Sequence, residues 1–253
     1  MLSKNKIKYI HSLKLSKFRD EYQQFIAEGD KLVCDLLLSN YKISDIFATK
    51  DWIENNPVSN AISVTEVTEN ELERISQLST PNKVLAILDY KKLTESGNDI
   101  FNELILMLDE IKDPGNMGTI IRIADWFGIS NIICSNHSVE IYNPKVVQST
   151  MGSIARVNVT YTDLKVFLEN VPNDIPIYGT LLDGENIYNQ DLSTNGIIIV
   201  GNESRGISKE IIPFITKKIL IPAYAQNKES KAESLNASVA TAIVCAEFKR
   251  KFN

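Results

Sequence analysis

Three polar clusters in the second half of the chain contain the residue types that could do chemistry. Each follows an apolar run typical of a strand buried on both faces, namely "LMLDEI", "GIIIV" and "KILI". The candidates are Asn116 and Arg122 after the first run, Glu203 after the second, and Ser234 and Asn236 after the third. Because ligands of parallel α/β sheets bind outside the carboxyl ends of the strands, the clusters predict one shared, glycine-lined pocket.

Each cluster also has a simpler explanation. The sequence "DPGN" is more often a turn than a site, and Arg122 alone is typical of a surface arginine. Glu203 and Ser234 are residue types that cap a following helix. The chemical interpretation therefore depends on all three clusters occurring together.

The elements that must position these clusters follow an α/β pattern. Five strands are predicted, at "ELILMLDEI", "NIICS", "IPIYGTLL", "GIIIV" and "KILI". Helices are predicted at "TIIRIADWFG", at "VVQSTMGSIARV" and at the closing "SLNASVATAIVCAEFKRKF". The apolar face of the closing helix is predicted to comprise Leu235, Val239, Ala242, Ile243 and Ala246. The sum is a mostly parallel sheet covered by helices.

The first half of the chain predicts a smaller α/β domain at residues 1–92. A helical pattern covers Lys14 to Leu38, with an interruption at Gly29. Strands are predicted at "ISDIFAT", at "AISV" before an acidic-started helix, and at "KVLAILDY". The polar segment 93–100 then forms a linker to the second domain, residues 101–253.

Composition excludes several classes of function. The chain has 253 residues and a net charge of −5, with no apolar run near the roughly 20 residues that span a bilayer. Its amino terminus has no apolar core of a secretory signal. The three cysteines are odd in number and widely spaced, which favours a reducing cytoplasm and no metal site. The absence of G-x-G-x-x-G after the first strand of the second domain disfavours a Rossmann cofactor site.

Charge is distributed unevenly along the chain. Residues 1–25 hold six Lys or Arg against two acidic residues, a net charge of +4 that leaves −9 for the remainder. A basic patch on an acidic protein can contact phosphate, although a solvated helix face has the same composition. The sequence leaves both alternatives open.

Together the clusters resemble the three motifs of the SpoU (TrmH-like) RNA ribose 2′-O-methyltransferases. The matching segments are "NMGTIIR" at 116–122, "IVGNESRGIS" at 199–208 and "ESLNASVATAI" at 233–243. The resemblance covers about residues 103–253. The preceding half resembles the L30e-like substrate-binding domain that often accompanies this family, through "KLSKFRDEYQQFIAEGDKLVCDLL" and "TPNKVLAIL".

The resemblance implies a trefoil knot at the carboxyl end, a homodimer and S-adenosylmethionine as cofactor. Backbone groups around four residues would hold the cofactor, namely Leu181, Gly201, Ile221 and Leu235. Gly201 would let the backbone approach the cofactor because it has no Cβ. Glu203 would face the active site and fix neighbouring loops through hydrogen bonds. The polar positions around the ribose would be Asn116, Arg122, Ser234 and Asn236.

The implied reaction makes a poor nucleophile, the ribose 2′-hydroxyl, attack an activated methyl group. Because a guanidinium almost never deprotonates, we expect Arg122 to hold the target and stabilise charge growing on the 2′-oxygen rather than accept its proton. Arg205 is a further candidate for phosphate contact. The alternative is an exposed arginine with no specific role. The loop at 222–233 is longer than the family leads us to expect, and it could reshape the cofactor pocket, contact RNA or be a tolerated insertion.

The leading hypothesis is therefore a cytoplasmic RNA 2′-O-ribose methyltransferase, with ribosomal RNA favoured over transfer RNA. One alternative is a non-catalytic RNA-binding or ribosome-assembly module that keeps the fold. Another is a related knotted enzyme that methylates a base, which the pairing of "NMGTIIR" with "SLNASVA" disfavours.

Overall fold

The described residues form two compact units. The structure, a computed structural model, describes residues 2–91, 98–225 and 234–250. The first unit comprises residues 1–93 and 140–156, and the second comprises residues 94–139 and 157–253. Sequence analysis assigned Glu140–Arg156 to the second domain, but this segment packs with the first unit. Residues 92–97, which include most of the predicted linker at 93–100, lie outside the described residues.

The first unit contains a mixed four-stranded sheet. Its strands are β1 (Gln24–Glu28), β2 (Ile43–Ala48), β3 (Ser63–Glu66) and β4 (Val84–Asp89). Their order is β1-β4-β2-β3, and only β2 and β3 are parallel. The helices of this unit are α1 (Lys4–Ser12), α2 (Ser16–Tyr22), α3 (Asp30–Leu37), α4 (Lys50–Asn55), α5 (Glu69–Ile75) and α7 (Pro144–Ser149). The three predicted strands are confirmed as β2, β3 and β4.

The continuous helical pattern predicted over Lys14–Leu38 is wrong, because β1 interrupts it. Four of the five β1 residues are buried, and the strand pairs antiparallel with β4 along its whole length. Two left-handed residues separate β1 from the flanking helices, Gln23 at φ 53° and Gly29 at φ 109°. Tertiary pairing has therefore overridden a helix-like spacing of apolar residues.

Segment Glu140–Arg156 completes the core of the first unit. Arg19 is only 2% exposed and forms an ion pair with Glu140, while its guanidinium also donates to the carbonyl of Leu13. The ring of Tyr142 lies 4.6 Å from that of Phe25 and stacks on Tyr90 at 4.0 Å. The helix predicted at "VVQSTMGSIARV" is shorter than expected, because the chain turns left-handed after α7, at positions 151 and 152.

The second unit contains a six-stranded sheet in which all described pairings are parallel. Its strands are β5 (Leu104–Leu108), β6 (Asn131–Ser135), β7 (Asn158–Thr162), β8 (Ile177–Asn186), β9 (Gly196–Val200) and β10 (Lys217–Leu220). The order is β10-β8-β9-β5-β6-β7. The predicted α/β class is thus confirmed. Only β7 was missed among these strands, because this edge strand is mostly half-buried and lacks an apolar run.

Three α-helices lie in the described part of the second unit. They are α6 (Pro114–Trp126), α8 (Leu164–Glu169) and α9 (Ala237–Arg250). The "DPGN" segment is not a free turn, as sequence analysis favoured, but the start of α6. Asp113 caps the helix by accepting a hydrogen bond from the Asn116 backbone at 2.8 Å, and Pro114 occupies the first helical position, where proline is tolerated.

The apolar face predicted for α9 is the less buried of its two faces. Val239 is 48% exposed, Ala246 is exposed, and Ala242 and Ile243 are only half-buried. The packed face consists instead of Ala237, Ser238, Thr241, Val244, Cys245 and Phe248. The sequence pattern was ambiguous because α9 is apolar almost all round.

Three further expectations concern a membrane span, a metal site and the trefoil knot. No helix in the described residues is long and apolar enough to cross a membrane. Likewise, the described residues contain no cluster of three His, Cys, Asp or Glu side chains that could hold a metal ion. Residues 226–233, which connect β10 to α9 and hold most of the long loop at 222–233, lie outside the described residues. The trefoil knot stays a prediction.

Candidate active site

The candidate site lies at the carboxyl ends of β5 and β9. These strands pair in parallel from Leu104 and Gly196 to Leu108 and Val200, and the Asp109 backbone extends the ladder by donating to the Val200 carbonyl. The chain runs from β5 outward to β7 and later returns to place β9 on the other side of β5. This reversal makes the β5–β9 seam the topological switch point, where ligands of open α/β sheets bind.

A chain of hydrogen bonds joins one residue from each of the three motifs. The Asn116 side-chain amide donates to Glu203 Oε1 at 2.7 Å, and its oxygen accepts from the Asn236 amide at 2.9 Å. Asn236 in turn caps α9, because its Oδ1 accepts from the backbone of Ser238 at 3.0 Å. Each asparagine therefore donates in one direction and accepts from the other, which fixes the relative positions of three loops.

Asn236, rather than Ser234, is the residue that caps the closing helix. Asn236 Oδ1 accepts from the backbone of Ser238 and Val239, at 3.0 and 3.3 Å. Ser234 lies two residues before it, is exposed and directly follows residues 226–233. The sequence could not separate the two, since serine and asparagine are about equally good caps.

The loop after β9 is a tight reverse turn built around Asn202. The backbones of Asn202 and Gly206 exchange two hydrogen bonds, at 3.0 and 2.9 Å. Asn202 Oδ1 also accepts from the backbone of Ser204 at 2.9 Å and of Arg205 at 3.1 Å. The loop is thus closed by its own polar groups and presents Glu203 from a fixed frame.

Gly201 is required by this loop itself. A Cβ on Gly201 would lie 2.3 Å from the Gly206 carbonyl carbon and 2.4 Å from the Ile207 nitrogen. Because both atoms belong to the backbone, neither could move away cheaply. Sequence analysis expected this glycine to make room for a cofactor, whereas the structure gives a reason that lies within the protein.

Two residues that sequence analysis missed hold the loop after β9 in place. The side chain of Asp109, only 3% exposed, accepts a hydrogen bond from the Ser208 backbone at 2.7 Å. The Glu110 carbonyl accepts from the Asn202 side chain at 2.9 Å. Both residues read as the end of an apolar strand, although Glu110 adopts the left-handed φ of 55° that a strand would not contain.

Arg122 does not join Asn116, Glu203 and Asn236 within one chain. Arg122 is exposed, and no described residue makes an ion pair or hydrogen bond with its side chain. It lies six residues after Asn116 on α6, hence about 9 Å along the helix and about 120° around it. The predicted catalytic set is therefore divided. One part is the group joined by hydrogen bonds, Asn116, Glu203 and Asn236, here called the bonded group, and the other is the separate Arg122.

The four predicted cofactor positions are all aliphatic residues or glycine. The register of β8 with β9 pairs Gly179 with Ile199, so Leu181 and Gly201 each lie two residues beyond the same pair. Leu181 is half-buried and packs against the core of the sheet, and Leu235 is 47% exposed. Ile221 directly follows the edge strand β10 and is half-buried. Such positions offer backbone hydrogen bonds and apolar surface rather than charge.

Arg205 lies at the surface, beside Glu110. Its side chain is 82% exposed, and its Nη1 atom lies 3.8 Å from Glu110 Oε2. At this exposure the ion pair is weak. The guanidinium is consequently available to an anion, and its proposed phosphate contact stays a prediction.

Comparison with known proteins places the chain among RNA methyltransferases. Residues 103–246 match the model of the SpoU rRNA Methylase family, and residues 4–86 match the MRM3-like substrate binding domain. A 23S rRNA (guanosine(2553)-2′-O)-methyltransferase, RlmP of Bacillus subtilis, is 26% identical over 243 residues, 94% of each chain.

Solved structures give the same result. A candidate RNA methyltransferase of the TrmH family from Porphyromonas gingivalis matches with a TM-score of 0.90 and 37% identity, over 99% of both chains. An AdoMet-bound rRNA methyltransferase from Sinorhizobium meliloti matches with a TM-score of 0.86 and 28% identity, over 100% of this chain and 97% of that one.

Proposed function

Because the chain belongs to the SpoU rRNA methylase family, we propose that it transfers a methyl group from S-adenosylmethionine to a ribose 2′-hydroxyl of RNA. The observation that carries this proposal is the hydrogen-bonded chain of Glu203, Asn116 and Asn236 at the switch point of the sheet. A module that had lost catalysis would have no need to keep three loops joined by the half-buried amide of Asn116 and the exposed amide of Asn236. The non-catalytic alternative is therefore disfavoured.

The cofactor supplies a methyl group on a positively charged sulfur. We assign its binding to the backbone around Leu181, Gly201, Ile221 and Leu235. The chemistry of these positions fits a nucleoside, since they combine main-chain donors and acceptors with half-exposed aliphatic surface. The AdoMet-bound structure from Sinorhizobium meliloti supports the same cofactor here.

The bonded group positions the ribose. Glu203 uses Oε1 to accept from Asn116, and no described residue bonds its other carboxylate oxygen. That oxygen can accept a hydrogen bond from the 2′-hydroxyl and orient it for attack. Ser234, beside the loop that precedes α9, adds a further hydroxyl to the surroundings of the ribose.

Arg122 acts from a second copy of the chain. On α6 it lies one turn before Trp126, which is 85% exposed. Helix α9 packs on α6, and its partly exposed face is apolar. The two helices together therefore offer a surface that a homodimer would cover. In that dimer, Arg122 of one protomer stabilises the 2′-oxygen at the strand-end site of its partner.

A mixing experiment tests the shared site. Arg122→Ala and Glu203→Ala are each inactive alone, but a mixed dimer has one site with both wild-type residues. Equal mixing and reassembly should restore about a quarter of the wild-type sites, since half of randomly reassembled dimers are mixed. A mixture as inactive as its components would place Arg122 and Glu203 in the same protomer.

Ribosomal RNA is the substrate that we favour. The relative from Bacillus subtilis acts on 23S rRNA, and it covers nearly the whole of this chain. We assign RNA binding to residues 1–92, joined by Glu140–Arg156, and catalysis to the rest of 101–253. A cytoplasmic location accompanies this proposal.

The test of the reaction is transfer of labelled methyl from S-adenosylmethionine to unmodified ribosomal and transfer RNA, followed by alkaline hydrolysis. A 2′-O-methyl removes the internal nucleophile, so the label should survive in alkali-resistant dinucleotides of ribosomal RNA. Label in mononucleotides would show base methylation instead. Cofactor binding without transfer to either RNA would favour the non-catalytic module.

A further inference from the structure

Four exposed lysines near the amino terminus of the first unit have no carboxylate partner in the described part of the chain, whereas seven other cations of the unit do. Among the described residues of this unit, Lys6, Arg19, Lys31, Lys42, Lys50, Lys83 and Arg156 each have a carboxylate oxygen within 4.0 Å. The exposed lysines of α1, of the turn after it and of the start of α2 have none. They are Lys4, Lys8, Lys14 and Lys17. Four of the six cations in residues 1–25 therefore have no described carboxylate nearby.

Aromatic rings lie in contact with this basic stretch. Tyr22 packs edge-on against Tyr9 at 5.2 Å and stacks on Phe18 at 6.3 Å. The ammonium of Lys17 lies over the Phe18 ring at 5.8 Å, and that of Lys6 lies over Tyr9 at 5.3 Å. The five side chains form a continuous row, with a cation at each end and three aromatic rings between.

Part of this row is accessible. Tyr22 is 42% exposed, and Leu15, at the turn between α1 and α2, is 57% exposed. A tyrosine engaged only in core packing would be covered by neighbours. Here the ring offers area at the surface, within a run of unpaired lysines.

We propose that this row of Lys6, Tyr9, Phe18, Tyr22 and Lys17, with the unpaired lysines beside it, binds an unpaired segment of the RNA substrate. Exposed aromatic rings stack on bases that are not already stacked in a duplex, and lysines neutralise the adjoining phosphates. This inference rests on the proposed function, because it assigns a surface to the substrate of that reaction.

The charge of the whole chain supports this location. Outside residues 1–25 the net charge is −9, which repels a polyanion. RNA attraction must then be concentrated where cations lack carboxylate partners. The row is the place in the described first unit where such cations and aromatic rings occur together.

The test compares charge-neutral variants in the full chain. Lys14→Gln with Lys17→Gln removes two unpaired cations. Lys50→Gln with Lys83→Gln is the matched control, because these lysines are similarly exposed in the same unit but are paired with carboxylates. The probe is a ribosomal RNA hairpin with a single-stranded flank, and its dissociation constant is measured by fluorescence anisotropy over a series of salt concentrations.

We expect the first pair to lower the slope of log Kd against log salt by about 1.5 and the control to leave it nearly unchanged. Tyr22→Ala should weaken binding of the flanked hairpin about fivefold or more, while Tyr22→Phe should retain it. A blunt duplex of equal length should bind weakly to all variants. In turnover, KM should rise with kcat unchanged.

Equal effects of the two lysine pairs would overturn the proposal, and so would retention of binding by Tyr22→Ala. Failure of the wild type to bind the flanked hairpin would overturn it as well. Failure of the proposed function looks different: the wild type would then bind RNA with the predicted salt dependence but transfer no methyl group. Thermal melting of each variant distinguishes lost contact from lost folding.

Discussion

The bonded group and the outer face of α6 belong to one predicted site, yet their surroundings are opposite. Asn116, Glu203 and Asn236 are linked to one another, and the loop carrying Glu203 is tied to the end of β5. Arg122 and Trp126, on the outer face, are exposed. The difference teaches that one part of the site is preorganised by hydrogen bonds within a single chain, whereas the described residues leave Arg122 without a partner.

The largest expected effect separates activity from stability on the outer face. Arg122→Ala should lower kcat by about 100-fold or more, because it removes the cation that stabilises the developing oxyanion. The melting temperature should stay within about 1 °C, since an exposed, unpaired side chain contributes little to stability. Lys165→Ala, an exposed cation elsewhere in the unit, serves as the control. A large drop in melting temperature would show that Arg122 has a structural role.

On the bonded side, activity and stability should fall together. Asn116→Ala breaks hydrogen bonds to both Glu203 and Asn236, and we expect the free energy of unfolding to fall by about 1–2 kcal/mol. Loss of loop alignment should reduce kcat by about tenfold or more. Asn116→Asp should be at least as harmful, because it places a second carboxylate directly against that of Glu203. Denaturant titration and steady-state kinetics measure both; unchanged stability would contradict the bonding network.

A third change tests what covers the outer face. Trp126→Glu should convert a dimer to a monomer, as measured by light scattering, because it places a charge in the apolar contact. Activity should fall in parallel if Arg122 acts across the dimer. Leu38→Glu is the control: Leu38 is 90% exposed but lies in the first unit, so its variant should leave the assembly unchanged. A dimer that survives Trp126→Glu would locate the contact elsewhere.

The smallest expected effect concerns Glu110, which holds the loop that carries Glu203. Glu110 holds the loop after β9 through its carbonyl while adopting a left-handed φ of 55°. Glu110→Gly should keep that contact, relieve the strain and raise the free energy of unfolding by up to about 1 kcal/mol. Glu110→Val should lower it, because a β-branched residue fits this region poorly. A higher free energy of unfolding for Glu110→Val than for Glu110→Gly, measured by calorimetry, would refute this explanation.

Sequence alone predicted the members of the site better than their connections. The parallel sheet followed from continuous apolar runs, and the three motifs identified the polar residues. It could not predict that Asn116 lies between Glu203 and Asn236, since that contact joins residues 87 and 120 positions apart. It also could not show that the loop itself requires Gly201, because a glycine's close neighbours are visible only in three dimensions.

The errors in the fold share a physical cause. Strand β1 was read as helix because its buried residues have a spacing that suits both structures, and pairing with β4 decided between them. The face of α9 was reversed because alanine and valine occur on both sides. Where two interpretations bury similar apolar area, packing partners decide, and a single sequence does not name them.

The ion pair between Arg19 and Glu140 limits how early the first unit can complete its folding during synthesis. Its partners lie 121 residues apart, so at translation rates of about 5–20 residues per second Arg19 waits on the order of ten seconds before its partner is made. In the later part of that interval, after residue 89 has been made, the nascent chain contains all four strands of the first sheet but not Tyr142, which packs on Phe25 and Tyr90. We therefore expect the first unit to mature only after the opening strands of the second have left the ribosome.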